Sequence, residues 1–289
     1  RGTLRTANHR PAASEEARVE ESARARAQQV AAGFTESASD YEGAVRYNLD
    51  GVRRLVAALP ERDYSELLDV GCGTGWSALT FIARFGPRRV IGVDPASGML
   101  DVFREHAQKL DDVEIDLIEA DVMNMPVEPE SADAVICTMA MHWFADKAGA
   151  VREMAARLRP GGLLAVLAGG EGVEAEYRQL LESIDPPVPA HWPALYDTAP
   201  TSERQMHGFL DSAGLKAIDV WIERRFRQTP VDDFLERMRV VASHLSEGMD
   251  TDELEGHQRR IREAMLAQAG PNGFEYHFSK LFAIAAKPA

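Results

Sequence analysis

Three glycines, Gly71, Gly73 and Gly75, stand two apart directly after an apolar run in the stretch "LLDVGCGTGWSA". A glycine-rich turn between a strand and a helix lets the backbone approach a ligand closely, and the helix that follows offers free N–H groups to negative charge. A nucleotide-like ligand suits such a turn. Two common versions of it are excluded. The triphosphate pattern G-x-x-x-x-G-K-[ST] occurs nowhere in the chain, and the dinucleotide pattern G-x-G-x-x-G wants a small residue where this sequence has Trp76. Here the third glycine comes one residue early. Metal chemistry finds no support, because the histidines are scattered and H-E-x-x-H is absent. Cys72 and Cys137, the only cysteines, lie in apolar runs and are expected as packed, reduced thiols.

The elements that must hold this turn follow from the hydrophobic pattern. Tyr41, Val45, Leu49, Val52, Val56 and Leu59 recur at helical spacing up to Pro60, which predicts an amphipathic helix ahead of the glycines. The runs "LLDV", "VIGV", "VEIDLI", "AVICTM" and "LLAVLA" then alternate with helical stretches, the rhythm of a parallel sheet. Four of them are continuously apolar, as strands covered on both faces should be. Val113, Ile115 and Leu117 instead alternate with acids and predict an edge strand. Residues 1–35, rich in Ala, Arg and Glu, read as a loosely attached helical arm. Beyond Gly170 a helix over Glu174–Ile184 runs into "DPPVPAHWPALYDTAP", whose prolines predict a stiff surface loop, so residues 171–200 read as a lid insertion. A helix near Ser202–Ser212, a strand near Leu215–Ile222, two helices within 229–270 and a last strand, "YHFSKLFAIAAK", complete residues 201–289.

The chain has 289 residues, 45% hydrophobic, with a formal net charge of -14. That charge repels nucleic acid on average and favours a small-molecule partner. No segment approaches the roughly 20 apolar residues that span a bilayer, and no apolar signal core opens the sequence, so a cytoplasmic protein without a membrane partner is expected.

The spacing Asp69, Gly71, Gly73, Gly75 resembles the first motif of class I S-adenosylmethionine-dependent methyltransferases. Asp94 in "VIGVDPASGML", the group Glu119, Ala120, Asp121 and Val122, "ADAVICTMAMHWF" and "LRPGGLLAVLA" match later motifs of that family in order, over residues 40–170. "MHWFADKAGAVREMAARLRPGGLL" is similar to trans-aconitate and juvenile-hormone-acid methyltransferases, and "FTESASDYEGAVRYN" with the closing strand resembles the malonyl-carrier-protein group. The resemblance implies a Rossmann-like, doubly wound, mostly parallel seven-stranded sheet with an antiparallel last strand and a helical cap. Residues 36–170 would form the cofactor-binding core. It also implies S-adenosyl-L-methionine as cofactor, S-adenosyl-L-homocysteine as product, and a small organic carboxylate as the preferred acceptor.

Carried onto this sequence, the glycines and Cys72 would curl under the methionine portion and Asp69 would orient its ammonium, unless Asp69 only braces the loop. Asp94, with Pro95, would bind the ribose. Met99 would pack on the adenine or in the core. Asp121 and Val122 would meet the adenine edge, and Thr138 the methionine portion or its own backbone. His142 follows the fourth strand, where it would be a general base for a hydroxyl or amine, a hydrogen-bonding group for a carboxylate, or a packed ring beside Trp143. Trp143 and Phe144 would wall the substrate or fill core. Tyr41 and Tyr47 would touch substrate or pack. His191, Trp192 and Tyr196 would close the pocket or lie on a surface loop. The rivals to carboxyl methylation are O- or N-methylation with His142 as base, and a cofactor-binding regulatory protein without transfer activity.

Overall fold

The computed structural model describes residues 15–193, 201–246 and 249–289. Its strands are β1 (Glu66–Val70), β2 (Arg89–Asp94), β3 (Glu114–Glu119), β4 (Ala132–Thr138), β5 (Leu158–Gly169), β6 (Lys216–Thr229) and β7 (Phe274–Ala286). They form one sheet in the order β3-β2-β1-β4-β5-β7-β6. The first five run parallel, while β7 is antiparallel to both β5 and β6. The α/β, doubly wound, mostly parallel fold with a helical cap is therefore as the sequence implies, including β3 at an edge.

Alternation sends consecutive strand residues to opposite faces, and each face finds its own helices. On one face Val70, Val135, Cys137 and Val166 pack against α5 (Lys147–Arg157) and α7 (Glu203–Ser212). On the other, Leu67, Val90, Ile136 and Ala165 meet α2 (Leu49–Ala58), α3 (Trp76–Phe85) and α4 (Ser97–Ala107). Phe81 and Phe103 are completely buried there. Each such side chain contributes about 1.5–3 kcal/mol by leaving water.

β7 pairs with β5 only over Lys280–Ala286, so its first half and the end of β6 project as a two-stranded ribbon. The ribbon's Phe274, Tyr276 and Phe278 join α6 (Ala175–Ser183), α8 (Val231–Val241) and α9 (Thr251–Gln268) in a separate apolar cluster, the cap. Asp250 caps α9 through the backbone N–H groups of Asp252 and Glu253.

Three expectations are corrected. The helix predicted from Tyr41 to Leu59 is two helices: α1 (Glu15–Val45) ends before a 3-10 turn at Arg46–Asn48, and α2 begins at Leu49. The boundary drawn at residue 35 lies inside continuous α1, whose Val30, Gly33 and Ala38 are buried. Gly98 makes that packing possible, since a Cβ there would meet the Thr35 carbonyl at 2.5 Å. The proline-rich segment is not all loop: residues 191–193 are helical and Val188 and Trp192 are buried. Residues 1–14, and Tyr196 with its neighbours 194–200, lie outside the described residues. No described helix is long and apolar enough to cross a membrane.

Candidate functional site

The turn after β1 is built by three left-handed glycines, with φ of 67° at Gly71, 52° at Gly73 and 88° at Gly75. Their crowding differs. A Cβ on Gly71 would strike Ala140, one on Gly75 would strike the Phe103 ring, and one on Gly73 would meet nothing within 4 Å. The open side of Gly73 is a cradle for a ligand, and the other two glycines are demanded by packing. The backbone N–H groups of Gly71 and Cys72 both donate to the Val93 carbonyl, at 2.8 and 3.1 Å, which ties the turn to β2.

Two buried aspartates flank this cradle. Asp94 accepts from the Gly73 backbone N–H through Oδ2 and from that of Ala96 through Oδ1, both at 2.9 Å. Burial pushes its pKa up to about 6, against the pull of those two N–H groups. Asp69 is fully buried at the end of β1. Its Oδ2 accepts from Ser77 Oγ at 2.8 Å and from the Ala78 backbone at 3.1 Å, while its Oδ1 is buried with no hydrogen-bond partner. Burial raises this carboxyl to about 7. An acid so placed gains from a cation, and the ammonium of an amino-acid moiety supplies one. The orphaned oxygen and the open face of Gly73 fit S-adenosylmethionine, whose ammonium Asp69 and whose ribose Asp94 would hold.

A recess beyond the glycines brings together Gly71, Pro95, Asp121 and Val122, with Trp143 and Phe144 at one side and Ala27 and Val30 of α1 across it. Asp121 Oδ1 accepts from the Met123 backbone N–H at 2.9 Å, capping a short helical turn. Met99 is not among the residues lining this recess; it packs with Ala38 and Ala96 beneath α1. Thr138 stands at the last position of β4. Removing the Asp94 carboxylate by Asp94→Ala is expected to weaken S-adenosylhomocysteine binding by about 1.5–3 kcal/mol, through lost charge-assisted hydrogen bonds. Equal affinities for variant and parent in calorimetry would take Asp94 out of the ribose site.

On the other side of Trp143 lies a second, mostly apolar cavity of about 100 Å³. It collects Tyr41, Tyr47, His142 and Trp143 from the expected substrate set. Trp192 is not among them. Its Nε1 donates to the Leu245 carbonyl at 3.1 Å and its ring lies 5.5 Å from His257, so it fastens the cap internally. His191 makes a 3.0 Å contact to the same carbonyl. Within the cavity His142 Nδ1 is buried with no partner, and burial, aided by Lys147, lowers the imidazole to about 4. That ring is neutral at pH 7. Burial likewise raises the Tyr41 and Tyr47 hydroxyls above the ordinary phenol range.

Sequence reasoning missed Asn48, Met139, Glu174 and Arg237, all of which line this cavity. Met139 and Glu174 hold φ of 54° and 49°, left-handed conformations that cost non-glycine residues and are retained where a site needs them. Arg237 is the only Lys or Arg among the lining residues. It is buried, its Nη2 donates to Glu174 Oε1 at 2.5 Å, and its guanidinium sits 4.4 Å from the Phe234 ring and 5.1 Å from that of Tyr47. A signal for it exists in the sequence, because Arg237 interrupts the apolar stripe of Phe234, Met238 and Val241.

The family described as a methyltransferase domain matches residues 67–162, the part of the chain that carries the glycine turn and both aspartates. The malonyl-[acyl-carrier protein] O-methyltransferase of Yersinia pestis is 26% identical over 86% of this chain and 88% of its own length. The trans-aconitate 2-methyltransferase of Azoarcus sp. is 33% identical over 46% of this chain and 51% of its own. Among solved structures, the phosphoethanolamine N-methyltransferase 2 of Haemonchus contortus, bound to phosphomonomethylethanolamine and S-adenosylhomocysteine, superposes with a TM-score of 0.56 at 19% identity. That match covers 88% of this chain and 58% of that one. At such identity the likeness is one of fold.

Proposed function

We propose that this chain, which carries a class I S-adenosylmethionine-dependent methyltransferase domain, methylates the carboxylate of a small organic acid or acyl group. The observation that carries the reading is Arg237, a guanidinium buried in the wall of the apolar cavity beside Trp143. A planar guanidinium pairs with carboxylates along more than one edge. With Glu174 fixing one part of it, Arg237 would hold an acceptor carboxylate and set its orientation.

Bound over Gly73, the cofactor would supply an electrophilic methyl group on a sulfonium. The chain's residues do the rest. Trp143 lines both the nucleoside recess and the acceptor cavity, so the two ligands would meet across it. The apolar wall excludes water, and proximity with orientation supplies most of the acceleration. Held by Arg237, a carboxylate oxygen would be presented to that methyl group, and the bonding pair of the carbon–sulfur bond would remain with the departing neutral thioether. No proton moves, and no base is required, since a carboxylic acid with pKa near ~4 is already ionised.

His142 decides between this chemistry and its rival. Its unpartnered Nδ1 inside the cavity favours a hydroxyl or amine acceptor, whose proton it would accept. A base at about 4 is deprotonated from pH 8 to 6, so His142 adds no pH dependence to kcat in that window for a carboxylate or a hydroxyl acceptor. Protonation of Asp69 and Asp94 in the same window would act on cofactor affinity instead. The discriminating result is the split between constants. For a carboxylate, His142→Ala is expected to raise KM and leave kcat within a few-fold of the parent. A loss in kcat of roughly 10²- to 10⁴-fold would establish a base and overturn the carboxylate reading.

A further inference from the structure

Asn48 stands in the wall of the acceptor cavity, at the joint between α1 and α2. Ahead of a helix, asparagine commonly turns its side-chain oxygen back onto the free N–H groups of the first turn. Asn48 does not. Its own backbone is already helical, with φ of -78° and ψ of -22°, and its side chain makes no capping bond. Only 6% of the residue is exposed, and its Oδ1 is buried with no hydrogen-bond partner. The turn that carries it is held from β7, where Lys280 Nζ donates to the Tyr47 carbonyl at 3.3 Å. A buried amide oxygen that neither caps nor pairs is costly by itself, and a hydrogen-bond donor brought in by a ligand removes that cost.

The surrounding walls narrow what the donor can be. The side chains of Val45, Met139, Val173, Met238 and Phe278 have no hydrogen to offer that oxygen. His142 Nδ1 is another unpartnered polar atom of the same cavity. A hydroxyl suits both, since it gives its hydrogen to Asn48 Oδ1 while its oxygen accepts from Nδ1 when the neutral ring carries its hydrogen there. Size limits the rest of the molecule. The cavity has about 100 Å³, less than the roughly 150 Å³ that encloses a benzene ring, so the buried part of the acceptor is short. Its one guanidinium, that of Arg237, matches one carboxylate.

We propose that Asn48 selects the acceptor, a short hydroxy acid whose carboxylate lies at Arg237 and whose hydroxyl, on one of the next two carbons, gives its hydrogen to Asn48 Oδ1. This selection rests on the carboxylate reading and narrows it to acids that carry a donor. A site with a buried polar group rejects a molecule of the same shape that leaves the group unpaired.

The test compares butyrate and isovalerate with their α- and β-hydroxy derivatives, using the full chain and methyl-labelled S-adenosylmethionine. A kcat/KM for a hydroxy acid about a hundredfold or more above that of its parent acid is the expected result. In Asn48→Leu, whose side chain has nearly the same size and no polar atom, that ratio should fall to within a few-fold, by loss for the hydroxy acid and gain for the plain one. Thermal melts check that the variant folds. Calorimetry of the same acids on the unaltered chain, with S-adenosylhomocysteine present, reads the preference without a variant and without turnover. Lack of any preference for a hydroxy acid in both turnover and binding overturns the proposal, as does a folded Asn48→Leu that keeps the preference. A fall in S-adenosylhomocysteine affinity in Asn48→Leu as large as the loss toward the hydroxy acid also overturns it, because Asn48 would then be a cofactor contact. Alkaline hydrolysis of the labelled product keeps the two readings apart: an ester releases its label and an ether retains it. An ether would end the carboxylate reading and leave the binding preference to decide Asn48.

Discussion

Replacing Arg237 by methionine and Glu174 by glutamine together is expected to lower kcat/KM for a carboxylate acceptor by about 10²- to 10³-fold, with most of the loss in KM. The pair must be changed together. Arg237→Met alone leaves the Glu174 carboxylate buried without its cation, which destabilises a fold by about 3–5 kcal/mol. The double variant removes both charges from the cavity, so its melting temperature should stay closer to the parent's than that of the single variant. Steady-state kinetics on a panel of small acids reads the effect. A folded double variant that kept the parent's KM for its acid would detach Arg237 from the acceptor.

The second large effect separates two neighbouring glycines that look alike in the sequence. Gly73→Ala is expected to leave the fold within about 1–2 kcal/mol of the parent, the cost of a left-handed alanine, because its new methyl meets no protein atom. S-adenosylhomocysteine affinity should nevertheless fall about a hundredfold or more, as the methyl occupies the side on which the ligand is expected. Gly75→Ala is expected to do the reverse at the level of stability: its methyl runs into the fully buried Phe103 ring, adding overpacking of about 1–3 kcal/mol to the same backbone strain. Chemical denaturation and calorimetry on both variants measure the contrast. Tight binding of the product by a folded Gly73→Ala would place the cofactor elsewhere.

The sheet was legible because its strands obey simple burial rules. β1, β4 and β5 are covered on both faces and read as apolar runs, and the acids of β3 betray its edge. β6 was read only as far as Ile222, since beyond it the sequence "ERRFRQT" serves an exposed ribbon strand and resembles a loop in composition. The cofactor side was legible for a related reason: left-handed turns demand glycine, and strand ends in a doubly wound sheet present acids to ligands.

The acceptor side was legible only in part. The break at Arg46–Asn48 contains no proline or glycine. It depends on tertiary contacts, among them Lys280 reaching the Tyr47 carbonyl from a strand more than two hundred positions away. That break brings Tyr47 and Asn48 to the cavity. Trp192 misled for the opposite reason. An aromatic among prolines suggests a stiff surface loop over the pocket, whereas here it anchors a cap whose other parts lie in α6, α8, α9 and the ribbon.

The position of β7 has a consequence for how the chain is assembled. The strand lies between β5 and β6 but follows both in sequence, with α8 and α9 intervening before it. Until Phe274–Ala286 has been synthesised, β5 shows an open, almost wholly apolar edge, and β6 has no strand to pair with. Parallel strands β1 to β5 can zip as each emerges, but the sheet is completed only when the last strand pairs with the edge of β5 and brings β6 with it. Contacts of such long sequence separation form slowly and leave unpaired edges exposed meanwhile. Folding of this chain should therefore be limited by the docking of β7, and the species that precedes it should be the one most prone to aggregate.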